Sequence, residues 1–315
     1  MPRLTHVWLL NRNPGTVMTT VDPIVHRRSK RWPQWRAIWG AFSQNPAVPI
    51  ATSLLLLLIF LVLFAPFLAP YDPYALGSGP RLGGHSFRNL LGADNLGRDV
   101  LSRFLWGGRV SIFVGFSAAF ATTVLGLLVG TVAGYIGGWV DDILMRLTET
   151  FMVIPRFFLA LIIVAFFGAN IWNIIFAIAI LTWPVTARIV RSEFLTLRTR
   201  QFVDAAHVIG TKSSTIIFRE ILPNAIGVVV VNASLLTAQA MLLEAGLSYL
   251  GLGDPSLVTW GRMLYEAQPY LRQSWWMAVY PGLGIFLSVL TLNLLGDGLN
   301  DVLNPRSSEI HRTGL

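Results

Sequence analysis

The side chains that most often carry catalysis or bind metals are scarce in this chain, which has five His and no Cys among 315 residues. The histidines, His6, His26, His85, His207 and His311, stand far apart and in no metal-ligand spacing. The lack of Cys excludes disulfides, thiolate metal sites and a Cys nucleophile. A membrane enzyme would require a Ser–His pair, an aspartate pair or a histidine cluster inside an apolar segment, and no His falls in one. Gly210-Thr211-Lys212-Ser213 looks like the end of a phosphate-binding loop. That motif needs Gly directly before the Lys and another five residues earlier, where this chain has Thr211 and Ala206. No nucleotide site is read from this chain, and any ATPase is expected on a separate polypeptide.

Two other features are candidates for function. Glu244 lies in the last third of an apolar run, and an ionised carboxylate at mid-bilayer costs about 2.5–3.5 kcal/mol on insertion scales. It must therefore face protein or water, either on a polar path through a helix bundle or as an interfacial cap near Ser248 and Tyr249. Gly126, Gly130 and Gly134 recur every four residues and leave one helix face without side chains. This reads as a packing seam, within the subunit or between subunits, although apolar spans also tolerate Gly without one.

The elements that position these residues follow from composition. Hydrophobic residues make up 54% of the chain and charged residues 13%, and mean hydropathy is +0.59. This argues against a disordered chain or a soluble enzyme. Six stretches approach the roughly 20 apolar residues of a transmembrane helix: 48–69, 110–135, 151–167, 171–189, 225–250 and 275–295. The third and fourth are separated only by Gly168-Ala169-Asn170, a tight helical hairpin. The first is read as a retained helix and not a cleaved signal. An all-α membrane protein is expected.

Net charge is +8, which on a soluble protein would suggest nucleic acid. In an apolar chain its location matters more. With six spans, 17 of the 24 Lys and Arg fall on the side of the two termini and seven on the other, so both termini are expected in the cytoplasm and no nucleic-acid partner is inferred. Just before the first span, Trp32, Trp35 and Trp39 recur at helical spacing among basic residues, the pattern of an amphipathic helix lying in the lipid interface.

The connection 190–223 is placed in the cytoplasm by the same count. Phe202, Ala205, Ala206 and Ile209 share one face of a short helix, with Asp204 and His207 elsewhere and Gly210 as its C-terminal stop. A second short helix is expected to start at Ser213 or Ser214 and end before Pro223. Such a helix–turn–helix either packs on its own bundle or offers a docking surface to a cytosolic partner.

Asp204-Ala205-Ala206-x3-Gly210 followed by Ile221-Leu222-Pro223-Asn224 resembles the EAA loop of binding-protein-dependent ABC importers. The run from Leu91 to Arg103, Leu-Gly-Ala-Asp-x2-Gly-Arg-Asp-Val-x-Ser-Arg, is similar to the external segment of the C-type permease of dipeptide, oligopeptide and nickel systems. Leu247–Gly253 with Trp260-Gly261, and Asn293–Asp301, resemble later blocks of the same subunits. The chain departs from the family pattern in having Asp204 for the usual Glu, and Glu220 where His is common.

The resemblance implies a type I ABC importer transmembrane domain in a bacterial inner membrane, non-catalytic and without its own cofactor. Partner ATPases would bind ATP and Mg. Its implied partners are a homologous B-type permease, two ATPase domains and an external substrate-binding protein. The EAA loop, with Asp204, Ala205, Ala206, His207, Gly210, Glu220 and Pro223, would carry the coupling helix. Glu244 would belong to a standard block as a structural or gate-lining carboxylate. Four regions are expected: a cytoplasmic segment 1–46, the first span with the external segment 47–107, the permease domain 108–303 and a tail 304–315. Short peptides are the first expected substrate, nickel or its chelates the second, and glutathione-like compounds the third. A channel or purely structural subunit is the other functional class.

Overall fold

The computed structural model describes residues 47–303. The interfacial helix expected around Trp32, Trp35 and Trp39, and the tail 304–315, lie outside the described residues. Within them the chain is helical, and its only β pairing is an isolated bridge between Ala93 and Asp99. The helices are α1 Ala47–Leu63, α2 Ala65–Leu68, α3 Val100–Ile136, α4 Gly138–Val153, α5 Arg156–Phe167, α6 Ile171–Leu197, α7 Gln201–Val208, α8 Ser213–Thr215, α9 Leu222–Leu247, α10 Trp260–Ala267 and α11 Trp276–Leu303. π turns at Ile216–Ile221 and Ser248–Leu252 join α8 to α9 and extend α9, so that Ser213–Leu252 is one helical run.

All six expected spans fall on helices, but their lengths differ from expectation. Four helical runs, beginning at Val100, Ile171, Ser213 and Trp276, are long and apolar enough to cross a bilayer, and a bent pair makes a fifth. The first span is shorter than expected, with 17 residues in α1 before a turn at Phe64. The second starts ten residues early, at Val100, because Asp99 caps it: its carboxylate accepts from the Ser102 N–H (2.8 Å) and hydroxyl (2.8 Å).

The third span needs correction. Residues 151–167 are not one helix, since α4 ends at Val153 and α5 begins at Arg156, with an 85° bend between them. Pro155 has no N–H to continue the ladder and forces the residue before it out of the helical region, so Ile154 is extended at ψ 131°.

The loop reading also needs correction. The second cytoplasmic helix does not end before Pro223 but runs on through it. The π turn provides the accommodation: the Leu222 N–H bonds five residues back to the Ile217 carbonyl, placing Pro223 in the first turn of α9, where a missing N–H costs nothing. Nor does Ser213 or Ser214 cap this run; Lys212 takes the cap position without a side-chain bond.

Three apolar clusters hold the bundle. One, built on Trp260, Met241 and Met277, joins α3, α9, α10 and α11. A second joins α3, α5, α6 and α9 around Ile174, Ile178 and Val114. The third packs α7 and the first π turn on the end of α6. Large apolar side chains such as Phe67, Phe120 and Phe166 remain 72–86% exposed, as lipid-facing positions require.

Candidate functional site

α7 is anchored from one side and bare on the other. Val203 and Ala206 are buried against Phe194 of α6, Ile216 and Ile221 of the π turn, and Ala225 of α9. The stripe read from sequence is therefore split. Ala206 turns inward with Val203, while Phe202, Ala205 and Ile209 stay outside, joined by Val208. Val208 and Ile209 are 87% and 80% exposed. The i, i+3 pair Val203/Ala206 was the available signal for the inner face, and Val208 belonged to neither pattern.

Gly210 closes the helix by bonding as much as by shape. Its φ is +76°, a conformation that a side chain strains. The Thr211 N–H bonds to the Ala206 carbonyl (3.0 Å) and the Gly210 N–H to that of His207 (3.0 Å), the paired bonds of a Schellman cap. The reversal fixes where Val208 and Ile209 project.

Asp204 and His207 line an open groove of about 690 Å³ with Arg198, Thr199, Ser213 and the Tyr135–Ile136 end of α3. Arg198 donates to the Gly134 (3.2 Å) and Tyr135 (3.3 Å) carbonyls, capping α3 with a cation where its dipole is negative. Asp204 sits in the first turn of α7, where the dipole favours an acid. Asp204, Ala205 and His207 are exposed. Glu220 is half-buried and its carbonyl accepts from the Asn224 side chain (2.6 Å), while Pro223 is exposed at the start of α9.

α7 is tied to the membrane part through α6 and α3. Gly126, Gly130 and Gly134 all face α6: a Cβ at Gly126 would collide with Thr186, one at Gly130 would lie 2.5 Å from the Ala187 carbonyl oxygen, and one at Gly134 2.6 Å from Phe194 Cβ. The seam lies inside the subunit. Arg191 of α6 reaches Asp141 of α4 with both nitrogens at 2.5 Å, and Asn232 of α9 donates to Thr186 (3.0 Å). α7 is thus joined by direct contact to α6, and α6 to α3, α4 and α9.

Glu244 is enclosed by its own chain, at 1% exposure. Its carboxylate accepts from Ser248 (2.7 Å) and from Ser111 of α3 (3.5 Å). Ser111 in turn accepts from the Trp260 N–H (3.1 Å), joining α3, α9 and the entry to α10. Glu244→Gln keeps a carbonyl acceptor, whereas Glu244→Leu orphans the hydroxyls. We expect Leu to lower the thermal midpoint in detergent by about 1–3 kcal/mol equivalent more than Gln does.

The opposite end of the bundle is braced by charge that sequence reading assigned only to a loop. Asp94 bonds Arg98 (2.5 Å) and Arg103, and Glu266 of α10 bonds both arginines (2.6 and 2.8 Å), with Arg262 3.3 Å away. Asp254 accepts from the Ile171 N–H (3.2 Å) and from Ser256, pinning the 168–170 hairpin. Burial alone would raise its pKa. The Ser256 hydroxyl and N–H, the Ile171 N–H and the Arg262 charge together outweigh burial and hold it below the ordinary carboxylate value. A lowered folded-state pKa stabilises above the unfolded value of about 3.9 and is lost as pH falls through the folded one. The stability deficit of Asp254→Asn should therefore be constant from pH 8 to about pH 5 and shrink below that, as checked by thermal unfolding.

Comparison with known proteins accords with this architecture. Residues 126–309 match the family described as binding-protein-dependent transport system inner membrane component, and residues 33–89 match the N-terminal transmembrane domain of oligopeptide transport permease C. The glutathione transport system permease protein GsiD of Pectobacterium atrosepticum is 38% identical over 92% of this chain and 96% of its own. The di/tripeptide transport system permease protein DppC of Pseudomonas aeruginosa is 37% identical over 86% and 92%. In fold, the inward-facing MetNI methionine ABC transporter superposes with a TM-score of 0.53 at 19% identity, over 64% of this chain and 96% of that one. The family match over residues 126–309 and the relatives aligned along most of the chain agree: the chain belongs to the family of binding-protein-dependent transport system inner membrane components.

Proposed function

We propose that this chain is the translocation-pathway subunit of an ATP-driven importer of short peptides, glutathione-like tripeptides included. The names of its relatives, permeases for glutathione and for di- and tripeptides, support the substrate class. The observation that carries the mechanism is α7: a helix clamped to α6 by Val203 and Ala206 that presents Val208 and Ile209, four-fifths or more exposed, away from the bundle. Two apolar side chains held rigidly in the open are a docking surface awaiting a partner.

That partner, in our reading, is one of two cytosolic ATPase domains, which bind ATP and Mg. A homologous B-type permease completes the pathway, and an external binding protein delivers substrate. This chain performs no chemistry of its own. It sits in a bacterial inner membrane with both termini in the cytoplasm, the side favoured by 17 of its 24 basic residues. Closure of the ATPases moves α7, and the seam transmits the movement to α3 through α6. Each state is favoured by differential binding of nucleotide and of the loaded binding protein. The complex reconstituted in proteoliposomes with its binding protein should take up radiolabelled trialanine only with ATP inside the ATPase compartment. Uptake independent of ATP, or purification without any ATPase, would refute the reading.

A further inference from the structure

One exposed stripe runs along α3. Phe113, Phe116, Phe120, Val124, Leu128 and Val132 follow one another at steps of three or four residues, all of them exposed, and no charged side chain lies between Arg109 and Asp141. From Phe113 to Val132 the stripe measures about 29 Å along the helix, which matches a hydrocarbon core of about 30 Å. Its first residue is level with one end of the bundle. The Phe113 ring meets that of Trp172, the second residue of α6 after the 168–170 hairpin, edge-on at 6.1 Å. Gly168 and Asn170 of that hairpin are exposed. Irregular backbone facing lipid does not occur within hydrocarbon, so the hairpin, and with it the start of the stripe, lies at the membrane surface.

Trp106 and Arg109 continue the same helix face past that surface, seven and four residues before Phe113. Arg109 therefore lies about 6 Å beyond the hydrocarbon edge, inside a headgroup layer about 5–8 Å thick, where Trp is also at home. Its guanidinium lies over the Trp106 ring, 4.9 Å from the centroid. Among the described residues Arg109 has no hydrogen bond or ion pair, and the Trp106 indole N–H has no acceptor. Arg98, Arg103 and Arg262, at the same end of the bundle, are by contrast all taken by Asp94 or Glu266. A guanidinium held by its face keeps its N–H edge free, and that edge matches two oxygens of a phosphate.

We propose that Trp106 and Arg109 form the headgroup site of a bound phospholipid, with the phosphate on the Arg109 guanidinium and one acyl chain along Phe113, Phe116 and Phe120. The occupant follows from the two parts of the face together. An unpaired cation stands at phosphate level, and beneath it a stripe without a polar side chain extends for one hydrocarbon thickness. The site does not depend on which substrate the pathway carries.

A photoreactive lipid tests this in the assembled complex in dodecyl maltoside micelles. One sample receives phosphatidylglycerol with a diazirine near the head of one acyl chain. The other receives the diacylglycerol with the same chains, which lacks the phosphate. After illumination, adducts are mapped by peptide mass. Within 106–120 they should be roughly tenfold more abundant with phosphatidylglycerol. Arg109→Gln should remove that preference, while Arg88→Gln, which deletes an exposed charge before α3, should leave it unchanged. The comparison of the two lipids on the unaltered chain stands whether or not the Arg109 variant assembles. Equal yields from the two lipids would overturn the site, as would a preference that survives Arg109→Gln. So would the absence of any adduct within 106–120, the result if the second permease covers the stripe. Competition by glycerol phosphate at equal concentration, the sign of a free-phosphate site, would overturn it as well.

Discussion

Replacing Gly130 by Leu should leave almost no folded chain recoverable from membranes. An added Cβ would lie 2.5 Å from the Ala187 carbonyl oxygen and 2.7 Å from Val190 Cβ, and the first of these is backbone. A flexible side chain could swing aside, but a carbonyl inside α6 cannot move without moving the helix. Overpacking a close-packed core costs about 1–3 kcal/mol, and here the whole α3–α6 contact must open, with Gly126 and Gly134 drawn apart on either side. A control locates the effect: a methyl group added at Gly282 in α11 would meet nothing within 4 Å, so Gly282→Ala should be neutral or slightly stabilising. Size-exclusion profiles and thermal unfolding in detergent distinguish the two.

The second large effect concerns function with the fold intact. Val208→Asp should be accepted by the isolated chain, since a side chain 87% exposed touches little of its own bundle and such substitutions usually stay within about 0.5 kcal/mol. In the complex the same carboxylate would meet the apolar surface that covers α7. Losing a buried Val removes about 1.5–3 kcal/mol, and burying an unpaired acid adds to that, so association with the ATPase should weaken by at least roughly a hundredfold. Uptake should fall in proportion, while the thermal midpoint of the chain alone stays put. Normal uptake at normal expression would remove α7 from the coupling path.

The spans were legible because hydropathy is a property of composition, but how each helix is broken or continued was not. Proline illustrates why. Pro184 and Pro281 lie inside α6 and α11 without ending them, and Pro223 is absorbed by a π turn, yet Pro155 terminates α4 with an 85° bend. The residue is the same in each case; what differs is whether neighbouring helices support the interrupted ladder, and that is tertiary information. The external motif was similar in this respect. Arg98 and Arg103 counted toward membrane orientation as loop charges, while the carboxylate that binds both, Glu266, lies more than 160 residues away. The α7 turn was the most readable part of the site, because a helix with an apolar face stopped by Gly is a local pattern. Which of its apolar residues faced inward depended on α6 and on the π turn.

Coupling through α7 requires Val208 to touch an ATPase, and a photocrosslinker placed there tests this most directly. With benzoylphenylalanine at position 208 of the assembled complex, illumination should give an adduct between this chain and the ATPase, strengthened or weakened by nucleotide. The same probe at Phe87, fully exposed in the external segment before α3, should give none. An adduct at 208 with lipid or with this chain alone, and none with the ATPase in any nucleotide state, would contradict the coupling role of α7.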